Sequence, residues 1–473
     1  MKKSPTRLFF VLIGLTAFLT PLRSIESLPA RPATVSPAKP NILVFLCDDL
    51  STRDVTCYGA TDVRTPQATA LAAQGLVFDR AFVASPTCAP SRAALLTGLY
   101  PQRNGAMANH TYKRDDVASL PPVLNALGYQ TAAFGKVAHG PKDVARHGFT
   151  YAPSGNNEFD SADIAEWLAH RDRSKPVALF AGTHSPHVPW PKNDGYDPAQ
   201  LTLRRFHYDT PEFRADRARY CTAVTQADTD FGTVWAMVRR ELGPDTIIVF
   251  TSDNGAQFPF SKGSLYDEGI RMPLIISWPG HFPAGVRTAA QVSWLDLLPT
   301  LIDVVGGTVP AGLDGRSFAP VLANPVTLHR DRIFTQHNND ARANVYPIRS
   351  VRTERWKYIR NLHPDWVHSN HSDRFRRDGA ASYFPAWEAA AVRDPLAALL
   401  LNRYRQRPAE ELYDLAADPD EINNLAADSR DATTLVELRA ELDTWMKAQG
   451  DTGQVKVAPW LPGEPGLVDP DGK

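Results

Sequence analysis

The sequence has little cysteine and almost no net charge. Among 473 residues there are only four cysteines, and 51 lysine and arginine residues nearly balance 52 aspartate and glutamate residues. The formal net charge of −1 gives no overall electrostatic field that would attract nucleic acid. Cys47, Cys57, Cys88 and Cys221 allow at most two disulfides, whose pairing cannot be deduced from the sequence.

A long hydrophobic run is also missing. The most apolar segment, residues 8–20, is too short for a comfortable membrane span and follows three basic residues. This pattern predicts a signal peptide over residues 1–24, with an uncleaved membrane anchor as the less favoured alternative. A Pro/Ala-rich linker follows over residues 25–39. We therefore expect an exported protein, periplasmic or secreted, without a stable membrane span.

What the sequence does contain is a repeated alternation of apolar runs and helical patterns. Apolar runs typical of buried strands occur within the segments 40–50, 65–83, 119–140, 175–190, 245–255 and 272–280. Helical patterns separate several of them, and the longest covers residues 214–242. This order predicts an α/β fold with a mostly parallel central sheet and helices on both faces, forming a catalytic domain over residues 40–330.

The pattern changes after residue 330. Residues 346–362 alternate like antiparallel strands, and residues 411–426 predict a strand, a turn and the start of a helix. An amphipathic helix is expected over residues 432–449. We therefore predict a smaller C-terminal α+β domain with an antiparallel sheet over residues 331–473, which completes the substrate pocket.

Carboxylates and an amide follow two of the predicted strands. Asp48 and Asp49 end the first strand, and Asp253 and Asn254 follow the strand near residue 250. Ligands of such sheets bind beyond the carboxyl ends of the strands, where these side chains would meet. Hard oxygen ligands suit Ca²⁺ or Mg²⁺ better than zinc, although each acidic pair alone would also suit a turn or helix cap.

Cations and histidines occur at comparable positions. Lysine and arginine side chains could neutralise a tetrahedral anion, and histidines could act as acids or bases, although each alone is more often structural or solvated. The residues concerned are Arg92, Lys136, Lys262, His139, His184 and His187.

Cys88 opens the segment CAPSRAALLTG, residues 88–98. A cysteine phosphatase loop needs a longer spacing between cysteine and arginine than the three residues that separate Cys88 from Arg92. A metal-ligand or disulfide role explains this motif no better, so the residues alone leave the function of Cys88 open.

The segment closely resembles the signature of the type I sulfatases. The resemblance extends from about residue 40 to 450 and includes LCDDL, GKVAHG, HSPHVPW, TSDNG and KGSLYDEGIRMPL. It implies an alkaline-phosphatase-like fold and the oxidation of Cys88 to formylglycine by a separate formylglycine-generating enzyme. One hydroxyl of the hydrated aldehyde would attack sulfur, and the other would lose its proton, expel sulfate and regenerate the aldehyde.

The resemblance also implies individual roles. The residues that would ligate Ca²⁺, with Mg²⁺ as the alternative, are Asp48, Asp49, Asp253, Asn254 and the modified Cys88. Arg92 and His139 would hold the formylglycine hydrate, and Lys136 and Lys262 would bind sulfate oxygens. His187 would protonate the leaving group, with His184 as a supporting neighbour.

The substrate follows from finer resemblances. SDNGAQFPFSKGSLYDEG and RNGAMANH resemble heparan N-sulfatases, whereas GKVAHG is more like iduronate-2-sulfatases. We therefore predict a sulfatase for glycosaminoglycan-type glycans, first of all for N-sulfoglucosamine, with His110, His337 and Arg342 contacting the sugar. The alternatives are an O-sulfatase, a phosphonate or phosphodiester hydrolase, and a non-catalytic glycan-binding relative. A homodimer is left open.

Overall fold

A computed structural model of the chain describes residues 39–153, 159–342, 344–370, 373 and 382–459, besides Met1. The predicted signal peptide, apart from Met1, and nearly all of the linker lie outside the described residues. Residues 39–473 form one compact unit. Among the described residues, no helix combines the length and the apolar character that crossing a membrane would require.

The first sheet has eight strands, with order β3-β4-β1-β5-β7-β2-β6 and β8 paired with β2. Its strands are β1 (Asn41–Cys47), β2 (Leu76–Phe82), β3 (Gln130–Gly135), β4 (Val177–Gly182), β5 (Thr246–Ser252), β6 (Arg271–Met272), β7 (Leu274–Ser277) and β8 (Val286–Ser293). The four neighbours β3, β4, β1 and β5 are mutually parallel. The expected mostly parallel α/β sheet is confirmed, but β7 runs antiparallel to both β5 and β2.

Burial explains why the parallel strands are continuous apolar runs. Every residue of β4 and β5 is buried, as it must be in a strand that is covered on both faces. The register is in phase, with Val44 opposite Phe180 of β4 and Val249 of β5. All four parallel strands therefore end at the same edge of the sheet.

The helices that pack around this sheet start at recognisable signals. The long helix begins at Pro211, three residues earlier than expected, because the Thr210 side chain accepts a hydrogen bond from the Phe213 amide and caps it. The α-helices up to residue 323 are α1 (Pro66–Ala72), α2 (Cys88–Thr97), α3 (Pro101–Asn104), α4 (Pro121–Ala126), α5 (Pro141–Val144), α6 (Ser161–His170), α7 (Pro211–Leu242), α8 (Asp267–Ile270), α9 (Leu297–Val304) and α10 (Ala319–Ala323).

A second, antiparallel sheet follows, as expected for the C-terminal region. Its order is β12-β11-β10-β9, from the strands β9 (Ile333–Asp340), β10 (Asn344–Arg352), β11 (Trp356–Asn361) and β12 (Glu410–Asp414). Later helices are α11 (Phe384–Ala391), α12 (Pro395–Arg405) and α13 (Ala432–Gln449). The last matches the predicted bounds. The separate domain over 331–473 stays a prediction.

The helix expected to start within residues 411–426 is absent from that described segment, so this prediction was wrong. After β12 the chain makes turns, and Glu421 adopts a left-handed backbone conformation with a φ of 53°. Its buried carboxylate lies 2.8 Å from Lys357 Nζ. This buried ion pair fixes Glu421 in a turn instead of a helix.

Candidate active site

The site lies beyond the carboxyl ends of the four parallel strands. Each of these neighbouring strands ends in polar residues that the sequence had singled out, as expected for ligand sites of parallel sheets. The contributions are Lys136 and His139 after β3, His184 and His187 after β4, Asp48 and Asp49 after β1, and Asp253 and Asn254 after β5.

Three carboxylates form the centre of the site. Oxygen atoms of Asp48, Asp49 and Asp253 lie within 4.8 Å of one another, and all three residues are fully buried. The backbone of Asp49 is left-handed, with a φ of 66°, and its amide donates to Asp253 Oδ1 at 3.1 Å. This turn aims the two consecutive acidic side chains that follow β1 at the carboxylate that follows β5.

Cys88 joins this cluster as the first residue of α2. Its Sγ lies 3.5 Å from Asp48 Oδ1 and 4.0 Å from Asp49 Oδ1. Helix α2 is anchored because the Asn109 side chain accepts from the Ala89 amide at 3.1 Å. Burial raises the pKa of the Cys88 thiol well above its ordinary value, so an unmodified side chain here is a protonated thiol.

Each carboxylate has a buried cation beside it. Lys136 Nζ donates to Asp48 Oδ2 at 2.5 Å, and Lys262 Nζ donates to Asp49 Oδ2 at 2.8 Å. The third pair joins Arg92 Nε to Asp253 Oδ2 at 2.7 Å.

The pKa values of these carboxyl groups diverge although all are buried. Burial opposes ionisation of Asp48, but Lys136 together with His187, Arg92 and His184 outweighs it and holds the pKa of that carboxyl well below its usual range. For Asp253 burial outweighs Arg92 and raises the pKa to about 7. Two neighbouring carboxyl groups cannot easily ionise together because their negative charges repel. An additional positive charge would therefore bind beside them favourably.

Two histidines face the same cluster from the loop after β4. His187 Nε2 lies 3.8 Å from Asp49 Oδ2, and His184 Nε2 lies 3.6 Å from Asp48 Oδ2. The Nδ1 of His187 donates to its neighbour's carbonyl, Val188 O, at 2.5 Å. The Nε2 atom of His187 is therefore the ring nitrogen directed at the reacting region.

The remaining predicted residues are placed differently. His139 Nε2 lies 3.0 Å from His110 Nδ1, so His110 reaches the site through another histidine. His337 is only 1% exposed within β9, and Arg342 lies in the turn between β9 and β10. Sugar contacts by His110, His337 and Arg342 stay predictions.

A small cavity beside Lys262 contains polar residues that sequence reasoning missed. Its volume is about 10 Å³, room for about one water molecule, and its lining consists of Thr87, Gln257, Lys262, Gly263, Asp340, Asn344 and Asn370. Asn109 connects this cavity to α2, because its Nδ2 donates to Asp340 Oδ1 at 2.9 Å. Thr87, Asp340, Asn344 and Asn370 come from separate segments and were not singled out in the sequence, so only the fold brings them beside Lys262.

The cluster fits a hard divalent cation. Asp48, Asp49 and Asp253 supply carboxylate oxygens, and the buried Asn254 Oδ1 has no hydrogen-bond partner among the described residues. An orphaned carbonyl oxygen beside three carboxylates is the donor set that Ca²⁺ or Mg²⁺ takes in proteins. The ligand set and the identity of the ion both stay predictions.

Family profiles and relatives agree with this arrangement. The profile described as Sulfatase matches residues 40–307, and one described as N-sulphoglucosamine sulphohydrolase, C-terminal, matches residues 255–369. Human N-sulphoglucosamine sulphohydrolase is 30% identical, over 91% of this chain and 93% of that protein. An ulvan-active sulfatase of Formosa agariphila is also 30% identical, over 87% of this chain and 81% of that protein.

Solved structures share the fold. The phosphonate monoester hydrolase of Silicibacter pomeroyi superposes with a TM-score of 0.66 at 20% identity, covering 88% of this chain and 96% of that one. At this identity the likeness shows the fold alone. It confirms, with solved sulfatase structures, the expected alkaline-phosphatase-like architecture. The profile match and the relatives together show that this chain is a hydrolase of the sulfatase family.

Proposed function

We propose that the protein releases sulfate from terminal sulfated sugars of glycosaminoglycan-type glycans, with N-sulfoglucosamine as its first substrate. The observation that carries this proposal is the position of Cys88 Sγ, 3.5 Å from Asp48 and inside a cluster of buried carboxylates and cations. The 30% identity with human N-sulphoglucosamine sulphohydrolase supports the choice of sugar.

The cations Lys136 and Lys262 are suited to bind the sulfate oxygens. Both are nearly fully buried, at 3% and 4% exposure, so their charges act in a region from which water is largely excluded. One is bonded to Asp48 and the other to Asp49. An incoming sulfate would therefore meet fixed positive charges that need no reorganisation.

Position 88 and the cation site supply the remaining chemistry. When formed, the hydrated formylglycine at position 88 supplies a hydroxyl that attacks sulfur, and a bound Ca²⁺ or Mg²⁺ draws charge from the sulfate oxygens. The structure favours such a modification, because the buried Cys88 thiol stays protonated and a neutral thiol is a weak nucleophile.

His187 is suited to protonate the leaving group. Its Nδ1 proton is committed to Val188 O, so Nε2 is the nitrogen that would carry a second proton to the substrate. An N–S bond breaks poorly unless its nitrogen is protonated, which makes this acid important for an N-sulfated sugar. Burial lowers the pKa of His187 well below its ordinary value, so the doubly protonated ring, once formed, gives up its Nε2 proton readily.

The cavity beside Lys262 favours an amino sugar over a uronate. Asp340 and Asn344 line it beside Lys262, so a carboxylate would lie close to a sugar whose sulfate is bound by Lys262. This carboxylate would repel the carboxylate of a uronic acid, whereas it would accept hydrogen bonds from hydroxyl or ammonium groups. The electrostatics of the pocket thus support glucosamine as the sugar.

A second candidate is an O-sulfatase for another sulfated polysaccharide. The 30% identity with an ulvan-active sulfatase favours it. The two candidate functions use the same catalytic cluster, but they predict a different order of kcat/KM among the substrates.

A panel of defined substrates tests the proposal. It contains N-sulfoglucosamine, glucosamine 6-O-sulfate, iduronate 2-O-sulfate and a phosphonate monoester, with Cys88→Ala as the inactive control. We expect kcat/KM to be highest for N-sulfoglucosamine by about tenfold, equivalent to about 1.4 kcal/mol of transition-state stabilisation. A preference for an O-sulfate would support the second candidate, and a preference for the phosphonate would contradict both.

We further propose export through residues 1–24 and maturation by a formylglycine-generating enzyme that recognises the segment around Pro90 and Arg92. The division into a catalytic domain over 40–330 and a smaller domain over 331–473 belongs to the same proposal. The change from the parallel to the antiparallel sheet near residue 330 supports it.

A further inference from the structure

Three side chains form a hydrogen-bonded chain that leads from the second sheet into the site. Asp340, the last residue of β9, has its Oδ1 3.2 Å from His110 Nε2. The other nitrogen of that ring, His110 Nδ1, lies 3.0 Å from His139 Nε2. The two imidazole rings meet edge to face, with their centroids 4.7 Å apart. The order is therefore Asp340, His110, His139.

The carboxylate at one end determines where the protons lie. An ionised carboxylate only accepts hydrogen bonds, so the proton of His110 lies on Nε2 and its Nδ1 accepts. His139 must then donate from Nε2, which leaves its Nδ1 with a free lone pair. Asn109 Nδ2 lies 3.4 Å from His110 Nε2, but its short bond, 2.9 Å, is to Asp340. For His110 Nε2, the charge-assisted hydrogen bond to Asp340 is stronger than the contact with Asn109.

The free end of this chain is close enough to the catalytic cluster to be affected by its charges. His139 Nδ1 is buried and has no hydrogen-bond partner among the described residues. The charges that act on its ring include Lys136 and Asp48 of the catalytic cluster, and burial lowers the pKa of His139 well below its ordinary value. A buried imidazole with an unused lone pair is a proton acceptor ready for use.

The backbone on both sides of the chain is held in place. The His139 amide donates to Asp143 Oδ2 at 3.0 Å, which fixes the loop after β3. His110 has a left-handed backbone with a φ of 60°, a conformation that few residues other than glycine adopt and that often marks functional positions. The neighbouring Asn109 amide donates to Asn339 O at 3.0 Å and ties this segment to β9.

We propose that His110 and Asp340 are positioning residues that hold His139 in the tautomer whose Nδ1 lone pair serves the reaction at position 88. This inference rests on the proposed function. His139 Nδ1 forms an N–H bond with a proton from a hydroxyl at position 88, while the electron pair of the broken O–H bond stays on the oxygen. The resulting imidazolium keeps its Nε2 proton bonded to His110, near the negative charge of Asp340, until Nδ1 passes its proton to water.

A spectroscopic test needs no turnover. Histidine labelled with ¹⁵N is incorporated into protein made without the maturation enzyme, so that Cys88 remains a thiol. The His139 signals are assigned by their loss in His139→Gln. We expect His139 to be protonated at Nε2 and bare at Nδ1, and we expect His110→Phe to allow the other tautomer. A proton on Nδ1 in the wild type, or an unchanged tautomer in His110→Phe, would overturn the proposal.

A second variant guards against misfolding. Asparagine adopts the left-handed backbone of residue 110 more readily than phenylalanine, and its side-chain oxygen can accept from His139 Nε2. His110→Asn should therefore fold and keep His139 protonated at Nε2. Loss of that tautomer in a folded His110→Asn protein would also overturn the proposal.

Steady-state kinetics of the matured enzyme separate positioning from sugar binding. We expect His110→Phe to lower kcat about 100-fold with little change in KM, and His110→Asn to recover part of the loss. A raised KM with normal kcat would identify His110 as a sugar contact and contradict the proposal. The control is His170→Phe on α6, whose exposed ring bonds to Glu166 O, and it should behave like the wild type. If the tautomer of His139 is as expected but the enzyme turns over no sulfated sugar, the proposed function is wrong. The proposed positioning of His139 by His110 is still supported in that case.

Discussion

Arg92 and Asp253 form an ion pair that is completely shielded from water. Arg92 Nε donates to Asp253 Oδ2 at 2.7 Å, and both side chains are 0% exposed. The neighbouring Ser91 Oγ donates to Asp253 O at 2.7 Å. Helix α2, which carries Cys88, is thereby fixed to the end of β5 through adjacent residues.

Removing this arginine should destabilise the fold as well as the site. Arg92→Met would leave Asp253 buried without its cation, and breaking a buried pair costs about 3–5 kcal/mol in the free energy of unfolding. Urea unfolding of the Cys88 protein measures the loss. The control is Arg53→Met, because Arg53 forms a partly exposed pair with Asp420, for which about 1 kcal/mol or less is expected. Equal losses in the two variants would contradict this account.

A divalent cation should bind and stabilise the protein. Calcium at 100 times its dissociation constant would add about 2.7 kcal/mol to the free energy of unfolding. Titration calorimetry and thermal unfolding, before and after chelation, measure the binding and the shift in Tm. Asp49→Asn should still fold, since asparagine tolerates the left-handed backbone at that position. Because it replaces a carboxylate ligand, it should abolish both the binding and the shift in Tm. Asp420→Asn is the matched control, and binding that survives Asp49→Asn would argue against the proposed ligands.

Asn109 should be needed for the alignment of α2. Asn109→Ala removes the acceptor for the Ala89 amide and the donor to Asp340, leaving two buried groups with one partner fewer. We expect the free energy of unfolding to fall by about 1–3 kcal/mol, and kcat to fall more than KM rises. Asn193→Ala, in an exposed loop, should change neither. Wild-type stability of Asn109→Ala would show that this link is dispensable.

His207 should make the fold sensitive to acid. Its ring packs against Phe206, Phe213 and Phe258, and neither ring nitrogen has a hydrogen-bond partner among the described residues. Burial, reinforced by Arg204, lowers its pKa well below the ordinary value. Because the folded state resists protonation, His207 contributes its full stability above the unfolded-state pKa of about 6.5 and loses it as the pH falls below that value.

The comparison variant is His207→Leu, in which no proton can bind at this position. Urea unfolding at several pH values between 7 and 5 gives the slope of stability against pH. We expect the slope of the wild type to exceed that of His207→Leu by up to one proton, or about tenfold in the folding equilibrium constant per pH unit below 6.5. Parallel slopes would show that His207 is already protonated, or solvated, in the folded state.

Local sequence signals were enough to predict the parallel half of the sheet and the acidic end of β1. The apolar run of β1 stops at Asp48 and Asp49, and parallel strands gather such endings at one edge. The closing helix also followed from its pattern, with bounds Ala432–Gln449. The start of α7 was missed by three residues because the Thr210 cap and Pro211 were overlooked.

What the sequence could not predict depends on long-range contacts. The antiparallel pairing of β7 with β2 joins residues about 200 positions apart, such as Val77 and Ile275, and a short apolar run carries no local signal for it. Asp340 and Asn109 are likewise brought together by long-range contacts, the bridge between their segments and a side-chain hydrogen bond. The expected role of Cys88 follows from the sequence motif, whereas the residues that surround it could be identified only from the fold.

Mass spectrometry of the tryptic peptide that contains residue 88, from protein matured in its native host, tests the central claim most directly. The account predicts that sulfur is lost from this residue and that an aldehyde, reactive with a hydrazide probe, replaces the thiol. An intact thiol at Cys88 in protein that still releases sulfate from its substrate would contradict the account.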